Sequence, residues 1–129
     1  LSTTDAGSAA NLFVMGLIAK TLNDLHVGLP CKVISFDLDR CVANIQPLIR
    51  TTDKDPAIIQ NVPALGQKLI ISGAEQLCKP SLRIGDVVFV VCADQEIKNV
   101  LSGQIASSDS KRKHSKNDAV IVGVMPCSL

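Results

Sequence analysis

Tryptophan and tyrosine are missing from these 129 residues, and the aromatic complement is Phe13, Phe36 and Phe89. A groove for single-stranded nucleic acid is normally paved with aromatic platforms, on which each stacked base gains ~1–3 kcal/mol. Three phenylalanines, two of them in strand-like runs where the core is their expected place, do not supply one. The core must therefore be aliphatic. An excess of either charge is missing too: 13 basic against 12 acidic residues leave a formal charge of +1. That balance excludes the strong positive field of a general nucleic-acid binder, so any basic recognition is local. No Cys-x-x-Cys pair occurs among Cys31, Cys41, Cys78, Cys92 and Cys127. Scattered cysteines in odd number suit neither a disulfide framework nor a zinc ribbon. Free thiols are expected, with Cys41 and Cys92 behaving as small hydrophobes inside apolar strand-like runs.

Long hydrophobic runs are also lacking. Leu12 to Ala19 is apolar for eight residues, but Lys20 and then Asn23-Asp24 end it, well short of the ~20 residues that cross a bilayer. No basic residue precedes this run and no small-x-small site follows it, so it does not read as a secretory leader, and no stable membrane insertion is expected. The glycines are dispersed, which leaves no phosphate-cradling loop, and Gly85-Asp86 reads as a turn into a strand. The histidines are His26 and His114, without metal-ligand spacing. His114, Ser115 and Asp118 carry the side-chain types of a catalytic triad, but adjacency in a loop does not create its geometry. No catalytic residue, metal or cofactor is expected, and the chain is not read as an enzyme.

What is present points to a mainly β protein. Val, Ile and Leu fall in short runs punctuated by Gly, Pro, Asp and Ser, the texture of pleated, half-buried strands. The length suits one domain of roughly 100–150 residues. The chain divides into a tail and helix over residues 1–28 and a barrel domain over residues 29–129. Leu1 to Ala10 is small and polar and reads as a tail. A helix is predicted from Asn11, with Ser8 or Asn11 as its N-cap, ending near Gly28 and Pro30. Met15, Ile18, Leu22 and Leu25 share one helical face, while Phe13 and Leu17 occupy a neighbouring one. Apolar coverage this wide implies either burial against both the barrel and another chain, or packing on its own domain alone. Leu12, Phe13, Met15, Leu17, Ile18 and Leu22 are thus the candidate interface residues.

Cys31 to Leu38 and Arg40 to Ile49 are predicted to form a β-hairpin about a turn at Asp37 to Arg40. Cys41, Ala43, Ile45 and Ile49 are expected on one face, Asn44, Gln46 and Arg50 on the other, with Pro47 at a bend or edge. A loop over Thr51 to Pro56 precedes strand-like pieces at Ile58 to Val62 and Lys68 to Ser72. Gly73 to Pro80 then reads as a long connection. The six apolar residues Val87 to Cys92 predict a strand buried on both faces. Ala93 to Leu101 takes a helical period, capped by Asp94 and stopped by Gly103. Ser107 to Asn117 is a hydrophilic loop, and Ala119 to Val124 a closing strand. This order suits a small Greek-key barrel of the OB type, with an N-terminal helix and one short helix before the last strand. Because some OB barrels hold single strands, a nucleic-acid module using Lys111 to Lys116 is the alternative. A solvated loop, or one docking an acidic partner surface, accounts better for that cluster.

Several segments in order carry a resemblance: Leu29 to Asp37, Val42 to Ile49, Ile84 to Val91, Ala93 to Val100 and Lys113 to Gly123. Each is a weak motif alone, and their sequential arrangement carries the weight. Together they resemble the N-terminal OB domain of the membrane-piercing central spike proteins of contractile phage tails, over about four-fifths of the chain. The resemblance implies a non-catalytic building block of a phage or phage-like bacteriocin baseplate, made in the bacterial cytoplasm and residing in the virion. It also implies a homotrimer beneath the tail tube and hub. In that family a β-helical needle follows the barrel, whereas this sequence stops at Met125 to Leu129. The needle and its iron-holding His-x-His apex therefore do not carry over. The expectation is a separate tip protein, a blunt spike or a truncated chain.

Overall fold

The computed structural model describes residues 3–129. One helix, α1 (Thr3–Asp24), precedes seven strands: β1 (Gly28–Asp37), β2 (Val42–Pro47), β3 (Ile59–Pro63), β4 (Gln67–Ile71), β5 (Ala74–Cys78), β6 (Val87–Cys92) and β7 (Ala119–Val124). Five strands form an antiparallel sheet in the order β3-β2-β1-β6-β7. The sheet curls until its edges meet: Ala64, just past β3, bridges Ile121 of β7 in parallel, and Leu65 N–H donates to Ile121 O at 3.1 Å. Antiparallel strands closed by a parallel seam make this a small OB-type barrel, as the strand order in the sequence predicts.

Curling requires bulges, which bend a strand and increase its twist. Each of the three lies where one strand carries an extra residue, at Ile34 in β1, within Gln60-Asn61 of β3, and at Val122 in β7. Asn44 stitches the first two together: its amide donates to Ser35 Oγ at 2.9 Å, and its Oδ1 accepts from Asn61 N–H at 3.0 Å. Long β1 serves both halves of the barrel, pairing with β6 through Gly28 to Lys32 and with β2 through Cys31 to Asp37. The core that results is aliphatic, centred on Val33, Ile45, Val62, Val88, Val90 and Ile121.

The β1–β2 hairpin forms as expected. Asp37 Oδ1 accepts from the N–H groups of Asp39 and Arg40, and a left-handed Cys41 (φ 53°) completes the four-residue loop, a common hairpin geometry. Cys41 thus lies in the turn rather than in a strand. Ala43 and Ile45 point inward, but Ile49 lies beyond β2 and is exposed.

Four other expectations are corrected. Leu1 and Ser2 lie outside the described residues, but the expected tail is helical from Thr3, and neither Ser8 nor Asn11 starts the helix. No proline interrupts this stretch, and alanines favour helix. Gly73 to Pro80 is not a plain connection, because Ser72 (φ 52°) and Gly73 (φ 79°) form a two-residue turn that returns the chain as β5 against β4. Positive φ at both central positions is what a type I′ turn needs. Strand β6 is buried on one face, with Val88, Val90 and Cys92 inside and Phe89 and Val91 outside. Finally, Ala93 to Leu101 is irregular, with a bridge at Gln95 and a turn from Lys98, and the short helix before the closing strand is a 3-10 turn at Lys116–Asp118.

Candidate assembly surfaces and the charge-locked loop

The six interface residues expected from the sequence all lie on α1, and every one of them faces solvent: Leu12 and Phe13 are 69% exposed, and Met15, Leu17, Ile18 and Leu22 more than half. Helix α1 makes no substantial contact with any strand, so neither face is packed on its own barrel. A second apolar projection is the β4–β5 hairpin, where Leu69, Ile70, Ile71 and Leu77 are exposed. Two strands alone make too little core to bury these side chains. No helix among the described residues is long and apolar enough to cross a membrane.

The basic stretch before β7 is organised differently from a solvated loop. Arg112 grips Asp118 through two bonds, Nε to Oδ2 at 2.7 Å and a second guanidinium nitrogen to Oδ1 at 2.9 Å, and it reaches Glu96 Oε2 at 3.0 Å. Asp118 is 1% exposed and Glu96 is buried as well. The remaining oxygen sites are satisfied: Glu96 accepts from Asp109 N–H and Ser110 Oγ, and Asp118 Oδ1 accepts from Ile97 N–H. Burial of a charge demands such pairing and hydrogen bonding. The helix expected over Ala93 to Leu101 is lost to these bonds, since the Ile97 N–H and the Glu96 side chain serve the cluster. Gln95 bridges Lys113, and Asp94 engages His114.

Hydrogen bonding from Arg112 holds the Asp118 carboxyl below its ordinary range, outweighing burial, which pushes the other way. A carboxylate with a depressed folded-state pKa contributes stability that is present above its unfolded value and lost as pH falls through the folded one. Unfolding by denaturant is therefore expected to show no loss from this group between neutral pH and about pH 5, then a falling midpoint below about pH 4. Asp118→Asn should flatten that acid limb.

The triad-type side chains are not assembled into a relay. His114 Nε2 lies 3.2 Å from Asp94 Oδ1, Ser115 Oγ accepts from Asn117 N–H, and Asp118 belongs to Arg112. His26 is held below its usual pKa, first by burial and then by Lys116. Burial pushes the Cys31 thiol up to about 11 and raises Cys92 as well, which leaves both as inert hydrophobes in the core. A cleft at the end of β2 is lined by Gln46, Leu48, Arg50 and Asp55. Its polar groups pair with one another or with backbone: Arg50 with Asp55, and Gln46 with Pro56 O at 2.6 Å.

The described residues form an aliphatic OB-type barrel with two exposed apolar projections, α1 and the β4–β5 hairpin. The family described as phage protein Gp138 N-terminal domain matches residues 29–123. The chain belongs to that family and is a phage protein domain. The matched span begins with β1 and ends in β7, so it coincides with the barrel and leaves α1 outside. No curated protein matches the chain.

The sequence showed an apolar helix here but placed it against its own barrel, which the structure does not, and it missed the Arg112 cluster. Glu96, Arg112 and Asp118 are separated by 16 and 6 residues, with no motif to link them. The only available hint was an Arg and an Asp flanking a short polar stretch before an apolar strand.

Proposed function

We propose that this chain is a trimeric structural module of a phage or phage-like bacteriocin tail baseplate, at the distal end of the tail tube. It acts by assembly and load-bearing rather than by catalysis, and its partners are its own copies, tail hub or tube proteins and a separate spike-tip protein. The observation that carries the reading is α1: a 22-residue helix, apolar on several sides, stands unburied beside a barrel of the Gp138 N-terminal family. A helix apolar all round belongs in an interior, and when its own domain does not provide one, neighbouring chains must. Closed barrels suit transmission of compressive load, because pairing of strands removes loose edges.

Mass measurement by light scattering or native mass spectrometry tests this. A trimer of the 13.7 kDa chain is expected, and removal of residues 1–24 should reduce it to a folded monomer. A full-length monomer, or a truncated chain that still forms trimers, contradicts the proposal.

A further inference from the structure

The outer face of β1, β6 and β7 is a second apolar surface, continuous across three strands. On β6 Phe89 lies between Pro30 of β1 and Gly123 of β7, and Val91 lies between Gly28 and Val120. Val122, the extra residue of the β7 bulge, joins them. Phe89, Val91 and Val122 are 37%, 41% and 48% exposed. The edge of the Phe89 ring packs over Gly28, where a Cβ would come within 2.7 Å of it. The result is an apolar sheet face whose one neighbouring charge on β1 is Lys32, a row away from Phe89 and paired with Val87.

Helix α1 and this face begin from adjacent backbone, yet α1 does not cover it. The connector explains why. Leu25 N–H closes the last helical turn on Thr21 O at 3.2 Å, His26 N–H donates to His114 O at 2.8 Å, and Val27 O accepts from Cys92 N–H at 2.9 Å. Gly28 is already paired with Val91. Leu25 thus belongs to the helix while His26 and Val27 are held by the barrel, and this short connector sets the direction in which α1 leaves.

From this we infer that α1 of one copy docks on the outer β1–β6–β7 face of the next copy. The inference rests on the self-assembly proposed above and specifies its junction. Size supports it. At ~1.5 Å per residue, 22 residues make a rod about 33 Å long and about 10 Å across, with a lateral surface of roughly 1,000 Å². A stable specific interface buries about 800 Å² per partner, the same order as the surface of the rod. Contact among α1 helices alone would leave their outer sides wet, whereas a neighbour's sheet covers them. Because helix and sheet face are different surfaces of one chain, the junction is head-to-tail, and a rotation of one-third turn between copies closes it into a trimeric ring.

Native mass spectrometry of four proteins tests the junction: the full chain, Ile18→Glu on the helix, and Phe89→Glu and Val122→Glu on the sheet face. Val122→Glu backs up Phe89→Glu should loss of the ring disturb folding, which far-UV circular dichroism reads. The expected result is a trimeric full chain and three folded monomers. An equimolar mixture of Phe89→Glu with Ile18→Glu should form a two-chain species, since the first keeps its helix and the second its sheet face. Both sheet variants remaining trimeric while Ile18→Glu is monomeric overturns the inference in favour of a helix-only bundle, with the trimeric reading intact. Failure of the mixture to form a two-chain species also overturns it. A monomeric full chain instead defeats the self-assembly reading itself.

Discussion

Ile45→Ala is expected to lower the free energy of unfolding by about 2–5 kcal/mol, the range for truncating a fully buried aliphatic side chain. Ile45 is 0% exposed and sits on β2 between Val33 of β1 and Ile59 of β3. Its loss would leave a cavity where three strands meet beside the paired bulges held by Asn44. Those strands cannot collapse inward without breaking ladder bonds, so the cavity should persist and the effect should lie in the upper half of the range. Domains of this size have only about 5–15 kcal/mol to lose. Thermal melts should show a fall of roughly 4 °C per kcal/mol. Ile45→Val, which removes one methyl, should cost only about 0.5–1.5 kcal/mol. A change of less than about 1 kcal/mol for the alanine variant would mean that the barrel interior is not packed as described.

Asp118→Ala should cost about 3 kcal/mol, the low end for breaking a buried ion pair. The low end applies because Arg112 keeps Glu96 as a partner and retains one-third side-chain exposure. Loss of the Asp118 carboxylate also strands the Ile97 N–H. The effect should be local in character: hydrogen exchange should quicken over residues 93–118, while the β1–β2 pairing is expected to stay protected. Asp118→Asn keeps an acceptor for Ile97 and should fall between the alanine variant and the parent. Equal exchange throughout the barrel in both variants would show that the cluster does not organise the loop. By contrast the exposed Lys98–Asp109 pair, 3.0 Å apart, should contribute little when removed, as surface ion pairs generally do.

These two sites differ in how far the sequence reveals them. Ile45 is legible because inward and outward residues alternate along β2, and a period of two is a local property. The same rule placed Ala43 and Ile45 inside, though not Cys41 and Ile49, while apolar runs located β6 and β7 to the residue. It failed for the two-sided burial of β6, since an unbroken apolar run does not say whether its outer face meets another layer of the same chain or another molecule. It failed also at β5, although Ser72-Gly73 is a turn-marking dipeptide, because Glu75 and Gln76 dilute the apolar pattern. At Ala93 to Leu101 the helical period is present in the sequence, but tertiary bonds prevent the helix.

Composition and local pattern alone determined that this protein is an aliphatic, mainly β barrel preceded by an apolar helix, and the ordered strand segments pointed to the phage family. Those features are properties of neighbours along the chain. Only the tertiary structure decided that α1 stands clear of its barrel, that Phe89 lies outside, and that Arg112 is enclosed by Glu96 and Asp118. Each of these depends on which distant segments the closed sheet brings within a few ångströms of one another, and side-chain periodicity carries no information about that.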